Sequence, residues 1–248
     1  ISNFLNAYPS TGTVSIVGDP EIGNTLSVSH DLADLDGMGA ISYDWTWNGN
    51  PVGLNYLGNG WHAKINGMSQ PRFATASPEG KHLYVVSANA LHWFDINAST
   101  GAVSPLFALK DGSGGVEGLA GANCIVFSDD GNFAYVTGET DDSISWFSRN
   151  SDTGFLSYEG SIYDPEADGL DSPQRVILSP DNQYAYVTAD GDNSVSWFSR
   201  DSSTGELTYT ATLKDGVGGG AGLSGAKGIT ISSDGLFAYV VGHFDHTV

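Results

Sequence analysis

Four segments of this chain repeat one pattern, and the length of that repeat constrains the fold more than any other feature. They are PRFATASPEGKHLYVVSANALHWFDINASTGAV (71–103), ANCIVFSDDGNFAYVTGETDDSISWFSRNSDTGFL (122–156), PQRVILSPDNQYAYVTADGDNSVSWFSRDSSTGEL (173–207) and AKGITISSDGLFAYVVGHFDHTV (226–248). Their marker tyrosines, Tyr84, Tyr135, Tyr186 and Tyr239, fall 51, 51 and 53 residues apart. Within a unit, short apolar runs alternate with turn residues, as four short strands do. The first strand is like Cys124–Ser128 or Arg175–Ser179, and the second like Phe133–Thr137 or Tyr184–Thr188. Between them lies a turn such as Ser77-Pro78-Glu79-Gly80 or Ser179-Pro180-Asp181-Asn182, with proline and glycine or asparagine where a tight turn wants them. Third strands are expected at 90–95, 143–148 and 194–199, and fourth strands at 103–109, 155–162 and 206–213.

No stretch keeps a 3.6-residue period over three turns, so helix is a minor component. Four antiparallel strands recurring at about 50 residues imply an all-β fold, a β-propeller of four-stranded antiparallel blades. About three and a half blades are present: 71–121, 122–172, 173–225 and an incomplete 226–248. Val248 aligns with Val195, Ile144 and Leu91, early in the third strand. The count favours a piece of a longer protein. The alternatives are N-terminal strands that close a small ring, and partial propellers that complete one another between chains. The pairs Trp93-Phe94, Trp146-Phe147 and Trp197-Phe198 sit in third strands, where neighbours point to opposite faces. One ring is therefore expected in each blade-to-blade interface.

The run SPDNQYAYVT (179–188) followed by DNSVSWFSRDSSTGEL (192–207) resembles the lactonase-like seven-bladed β-propeller family, which includes 6-phosphogluconolactonase-like proteins. The resemblance spans residues 71–248 and implies the propeller fold. It carries no catalytic residue over, because no local motif of the family's acid, base or histidine is present. The connectors KDGSGGVEGLAG (110–121) and KDGVGGGAGLSG (214–225) look like repeats of large bacterial surface or secreted proteins. Residues 12–47 differ in character, reading as three strands at 13–17, 25–29 and 41–47. They resemble the opening of the tandem Ig-like repeats of bacterial surface proteins. This gives a domain expectation of a partial Ig-like β segment at 1–47, a linker or irregular loop at 48–70, and blades at 71–248.

Among the 248 residues, 29 acidic side chains outnumber 9 basic ones, for a net charge of -20. That balance excludes nucleic acid, whose phosphates call for basic patches. No apolar run approaches the roughly 20 residues of a membrane-spanning helix. The single cysteine, Cys124, excludes an internal disulfide and CxxC chemistry. The acid is mostly aspartate, 22 Asp against 7 Glu, a turn residue rather than a helix former. Closely spaced Asp31, Asp34 and Asp36, and Asp190 with Asp192, are the candidate calcium ligands. The loops 138–142, 189–193 and 242–246 and the connectors should gather on one acidic face.

The six histidines form no metal-ligand motif, and neither a nucleophile elbow nor a P-loop occurs. The sequence therefore favours a non-enzymatic module of a secreted or cell-surface bacterial protein, serving adhesion, assembly or binding of a carbohydrate or protein partner. One alternative is a lactonase-like hydrolase acting on a sugar lactone or related carbohydrate. Another is a structural subunit that self-associates, its open blade completed by another chain.

Overall fold

The structure is a computed structural model that describes residues 68–248 and, before them, four short strands: β1 (Val14–Val17), β2 (Ser27–His30), β3 (Trp45–Trp47) and β4 (Asn50–Val52). β1 pairs antiparallel with β2, and β3 with β4. The chain divides into two compact units, Ile1–Ala63 and Lys64–Val248. Asp31, Asp34 and Asp36 lie outside the described residues, as do most of residues 1–47, where an Ig-like segment is expected, and most of 48–70.

The second unit is all β. Blade 1 is β5 (Phe73–Ala76), β6 (His82–Ser87), β7 (Ala90–Ile96) and β8 (Val103–Lys110). Blade 2 is β9 (Ala122–Phe127), β10 (Phe133–Gly138), β11 (Ser143–Arg149) and β12 (Leu156–Tyr163). Blade 3 is β13 (Pro173–Leu178), β14 (Tyr184–Ala189), β15 (Ser194–Arg200) and β16 (Leu207–Lys214). A half blade follows, β17 (Ala226–Ile231) and β18 (Ala238–Gly242). Each blade is an antiparallel meander in chain order, and the first strands β5, β9, β13 and β17 touch one another in succession. First strands therefore form the inner wall, and fourth strands the outer rim.

The turns explain why the strands end where they do. In the turn between first and second strands, the serine hydroxyl accepts the backbone N–H of the residue five on, as Ser128 does from Phe133 at 3.1 Å and Ser232 from Phe237 at 3.0 Å. Between third and fourth strands, Asn150 and Asp201 each accept two following backbone N–H groups, the local bonding that makes Asx residues turn formers.

The core lies between blades. One buried cluster joins Tyr84, Leu91 and Trp93 of blade 1 to Phe147 and Leu156 of blade 2. A second joins Tyr135, Ile144 and Trp146 of blade 2 to Phe198 and Leu207 of blade 3. The Trp146-Phe147 pair is thus divided between two interfaces, Trp146 facing blade 3 and Phe147 blade 1, while Trp93 and Phe198 each serve one of them. Fully burying such a side chain stabilises by about 1.5–3 kcal/mol, so blades hold one another rather than standing alone. The third-to-fourth strand register shifts by one residue between Trp and Phe in all three full blades, a bulge that the sequence pattern does not announce.

Candidate functional site at the inner strand ends

The loops between second and third strands, and those from each fourth strand to the next blade, open on one face. On that face, a polar residue stands at the start of every inner strand, Arg72 just before β5 and Asn123, Gln174 and Lys227 second in β9, β13 and β17, spaced 51, 51 and 53 residues apart. The repeat puts a polar side chain there each time but never the same one. Asn123 Nδ2 donates to Gln174 Oε1 at 3.2 Å, and Gln174 Nε2 donates to Glu139 Oε1 at 3.2 Å. The other carboxylate oxygen of Glu139 accepts from the Arg72 guanidinium. Glu139 reaches this group from the β10–β11 loop, where Gly121 O accepts its N–H at 3.1 Å. The Arg72 and Glu139 side chains are 30% and 33% exposed, so water and a small solute reach them.

Arg175, the next residue along β13, lays its guanidinium over the Phe73 ring, 4.7 Å from the centroid. Asn123, Gln174, Arg175, Lys227, Gly228 and Val241 line a cleft of about 300 Å³. Lys227 pairs with Asp190, Nζ to Oδ2 3.6 Å. Two polar atoms here, Arg175 Nη1 and Asp190 Oδ1, are buried without a hydrogen-bond partner among the described residues. Three of the 9 basic residues of a strongly acidic chain lie at this end of the wall, Arg175 and Lys227 lining the cleft and Arg72 bound to Glu139.

A second cluster stands on the same face toward the rim. Asp164 and Asp168 come from the β12–β13 connector and Asp192 from the β14–β15 loop, each offering a carboxylate oxygen within 4.8 Å of the others. Lys214, at the end of β16, holds two of them, with Nζ 2.7 Å from Asp168 Oδ1 and 2.8 Å from Asp192 Oδ1. Those hydrogen bonds raise the Lys214 pKa well above its ordinary value. Partial burial raises that of Asp164, and the charges of Asp192 and Asp168 push it the same way. Hard oxygen donors at this spacing suit a divalent cation such as calcium, and Lys214 is the cation that now answers them.

Of the predicted ligands among the described residues, Asp190 and Asp192 share a loop but part company: Asp192 joins the rim cluster, whereas Asp190 turns to Lys227. The +49° and +52° φ angles of Asp142 and Asn193 explain why an Asx residue recurs there as backbone geometry. His92 is buried, with Nε2 3.2 Å from Ser87 Oγ, and Cys124 is buried with its thiol pKa pushed up by desolvation. Sequence reasoning missed Arg72, Gln174, Arg175 and Lys227. The signal was available in the repeat, as a register position that keeps its polarity while changing its residue.

The fold is shared with solved structures. A candidate 6-phosphogluconolactonase of Bacteroides fragilis is 22% identical with a TM-score of 0.55, over 68% of this chain and 47% of that one. One from Bacteroides uniformis is 22% identical with a TM-score of 0.57, over 68% and 46%. The periplasmic gluconolactonase of Pseudomonas aeruginosa is 21% identical with a TM-score of 0.52, over 60% and 40%. The matched part is less than half the length of each of these relatives. Among curated proteins, none matches this sequence. The family described as "Lactonase, 7-bladed beta-propeller" matches residues 60–216 and 167–248. That match overturns the expectation of a non-enzymatic module. The expectation rested on missing local motifs, and in a propeller polar groups from strand ends some 50 residues apart meet without any local motif. With its matched residues running from 60 to 248, the chain belongs to the lactonase family of seven-bladed β-propellers.

Proposed function

We propose that this chain forms part of a hydrolase that opens a sugar lactone or related cyclic ester at the inner strand ends. The observation that carries this reading is the holding of Glu139 by both oxygens, one on Arg72 and one on Gln174, at a water-accessible mouth. Lactone opening needs a base for water and positive charge for the acyl oxygen. Glu139 takes a proton from water as the water oxygen bonds to the acyl carbon. The guanidiniums of Arg72 and Arg175 and the ammonium of Lys227 offset the charge that develops on the acyl oxygen. The ring C–O bond then breaks, and the ring oxygen takes the proton from Glu139, leaving a hydroxy acid. The strongly acidic, aspartate-rich surface supports a secreted or cell-surface setting, and no helix among the described residues is long and apolar enough to cross a membrane.

The test is consumption of aldono-lactones by the purified natural protein, followed in a pH-stat. Glu139→Gln should lower kcat by about a hundredfold or more with little change in KM. Full activity in that variant, or none in the parent protein, sinks the reading.

A second reading concerns the rim cluster. Asp164, Asp168 and Asp192 would hold a calcium ion, which would supply positive charge and tie the β12–β13 connector to the β14–β15 loop. The mutual carboxylate spacing supports it.

A further inference from the structure

Trp93 anchors an aromatic cluster at the outer rim that the other full blades lack. Its ring centroid lies 5.4 Å from that of Phe107 on β8, and 5.5 Å from that of Phe155, which precedes β12 in blade 2. Phe107 and Phe155 are themselves 5.5 Å apart. Trp93 is buried, but Phe107 is 54% exposed, Phe155 44% and the neighbouring Leu106 47%. The repeat asks for none of this. Phe107 stands opposite Trp93 across the strands, where Gly160 stands opposite Trp146 and Ala211 opposite Trp197. In blade 2 the indole lies over that glycine, and a Cβ there would collide with it. Glu206 stands where Phe155 does, each one residue before the leucine that opens the fourth strand. Both departures meet at the junction of blades 1 and 2, two complete four-stranded sheets.

Polar groups with hydrogen-bonding capacity to spare border these rings. Asp95 lies two residues along β7 from Trp93 and so shares its face, and Ser104 of β8 stands opposite Asp95. Both are exposed, and neither side chain has a hydrogen-bond or ion-pair partner among the described residues. In blade 2 the residue matching Asp95 is Ser148, and its hydroxyl is already engaged, donating to Glu159 Oε1 at 2.6 Å.

We propose that this rim cluster binds a neutral carbohydrate. One pyranose ring of a glycan lays its C–H face on Phe107 and Phe155, while Asp95 accepts from its hydroxyls and Ser104 bonds beside it. Size argues for a small ligand. Three half-exposed side chains offer about 300 Å², against the roughly 800 Å² that each partner buries in a standard protein interface. The rings touch one another, so they make a platform and not the open cage that surrounds a quaternary ammonium. An unpaired carboxylate at the edge, in a chain of net charge -20, repels anions. A sugar ring brings an apolar face for the phenyl rings and hydroxyl donors for the carboxylate. The cluster sits at the third-to-fourth-strand turns, the opposite strand ends from the inner mouth, so it stands independently of lactone chemistry.

The probes are cellohexaose, maltohexaose, xylohexaose and chitohexaose, each titrated against the 248-residue chain by calorimetry. At least one should bind, with Kd of about 0.1–1 mM. Phe107→Ala and Phe155→Glu install residues that blade 3 carries at the matching positions, Ala211 and Glu206. Each variant, checked for an unchanged far-UV spectrum, should weaken binding at least tenfold, and Asp95→Ala about threefold. Lactone hydrolysis should be unchanged in Phe107→Ala, so the two readings fail separately. No binding of any of the four sugars, or binding that both phenylalanine variants keep, overturns the proposal. So does tetramethylammonium binding, or self-association, that Phe107→Ala abolishes.

Discussion

Glu79 and Arg149 form the pair on which acid should act most directly. Partial burial favours the protonated Glu79 carboxyl, but hydrogen bonds from Arg149, the backbone and Ser77, with the Arg149 charge, outweigh it and bring the pKa from 4.5 to about 2. A carboxylate depressed on folding adds stability that is complete above its unfolded value and is lost as pH falls toward its folded one. The urea midpoint of the native protein should therefore drop between about pH 4.5 and 2, and Glu79→Gln should flatten part of that slope. Identical slopes would show that the ion pair adds nothing. Arg149 and Arg200 stand at matching positions of the repeat, where either could pair with an acid. Arg149 does so, whereas Arg200 finds the Asn182 carbonyl and the Tyr135 hydroxyl instead. The reason is one methylene. Asp130 stands where Glu79 stands, is too short to reach across, and turns back onto Ser128 and Asn132. Tyr135→Phe leaves Arg200 Nε and the Gly205 carbonyl without that partner, and should cost about 1–3 kcal/mol in chemical denaturation.

Strands and turns were the most legible part of the fold, because their ends are written in local chemistry. The third strand expected at 143–148 runs Ser143–Arg149, and the fourth, expected at 155–162, runs Leu156–Tyr163. The bulge at Trp146/Phe147 was not legible, since it depends on how two strands register rather than on either one alone. The glycine after each Ser/Thr-Thr reads in sequence as a turn residue and nothing more. In the structure Gly205 also lets the turn approach blade 2, where a Cβ would collide with the Phe133 ring. Gly205→Ala should therefore destabilise by more than about 2 kcal/mol, strain and overpacking together. Gly216 shares a positive φ, +69°, but faces open space, so Gly216→Ala should cost only about 1 kcal/mol. Thermal melts of the two variants side by side separate packing from backbone. Equal losses would mean that the close approach to Phe133 is relieved without cost.

Across the four repeats, what escaped sequence reading is what the ring brings together from far apart. Glu139 and Gln174 lie 35 residues apart, and Asp164 and Lys214 lie 50 apart, so no window of sequence shows either group as a site. Acidity alone pointed to Asp190 and Asp192 as partners because they lie two residues apart, and the fold sends them to different cations. The rim cluster then makes a prediction whose sign runs against intuition. Lys214 now balances Asp168 and Asp192, so a calcium ion entering there competes with the protein's own ammonium. Lys214→Gln removes the ammonium and leaves both carboxylates unpaired by charge, with a side chain one atom shorter, and should tighten calcium binding about tenfold or more by calorimetry. Asp168→Asn should abolish that gain. In the native chain calcium should raise the melting temperature less than it does in Lys214→Gln, because stabilisation by binding rises with the logarithm of affinity. If Lys214→Gln binds calcium no better than the native protein, the three aspartates are a lysine clamp and not a metal site, whatever the net charge of -20 suggests.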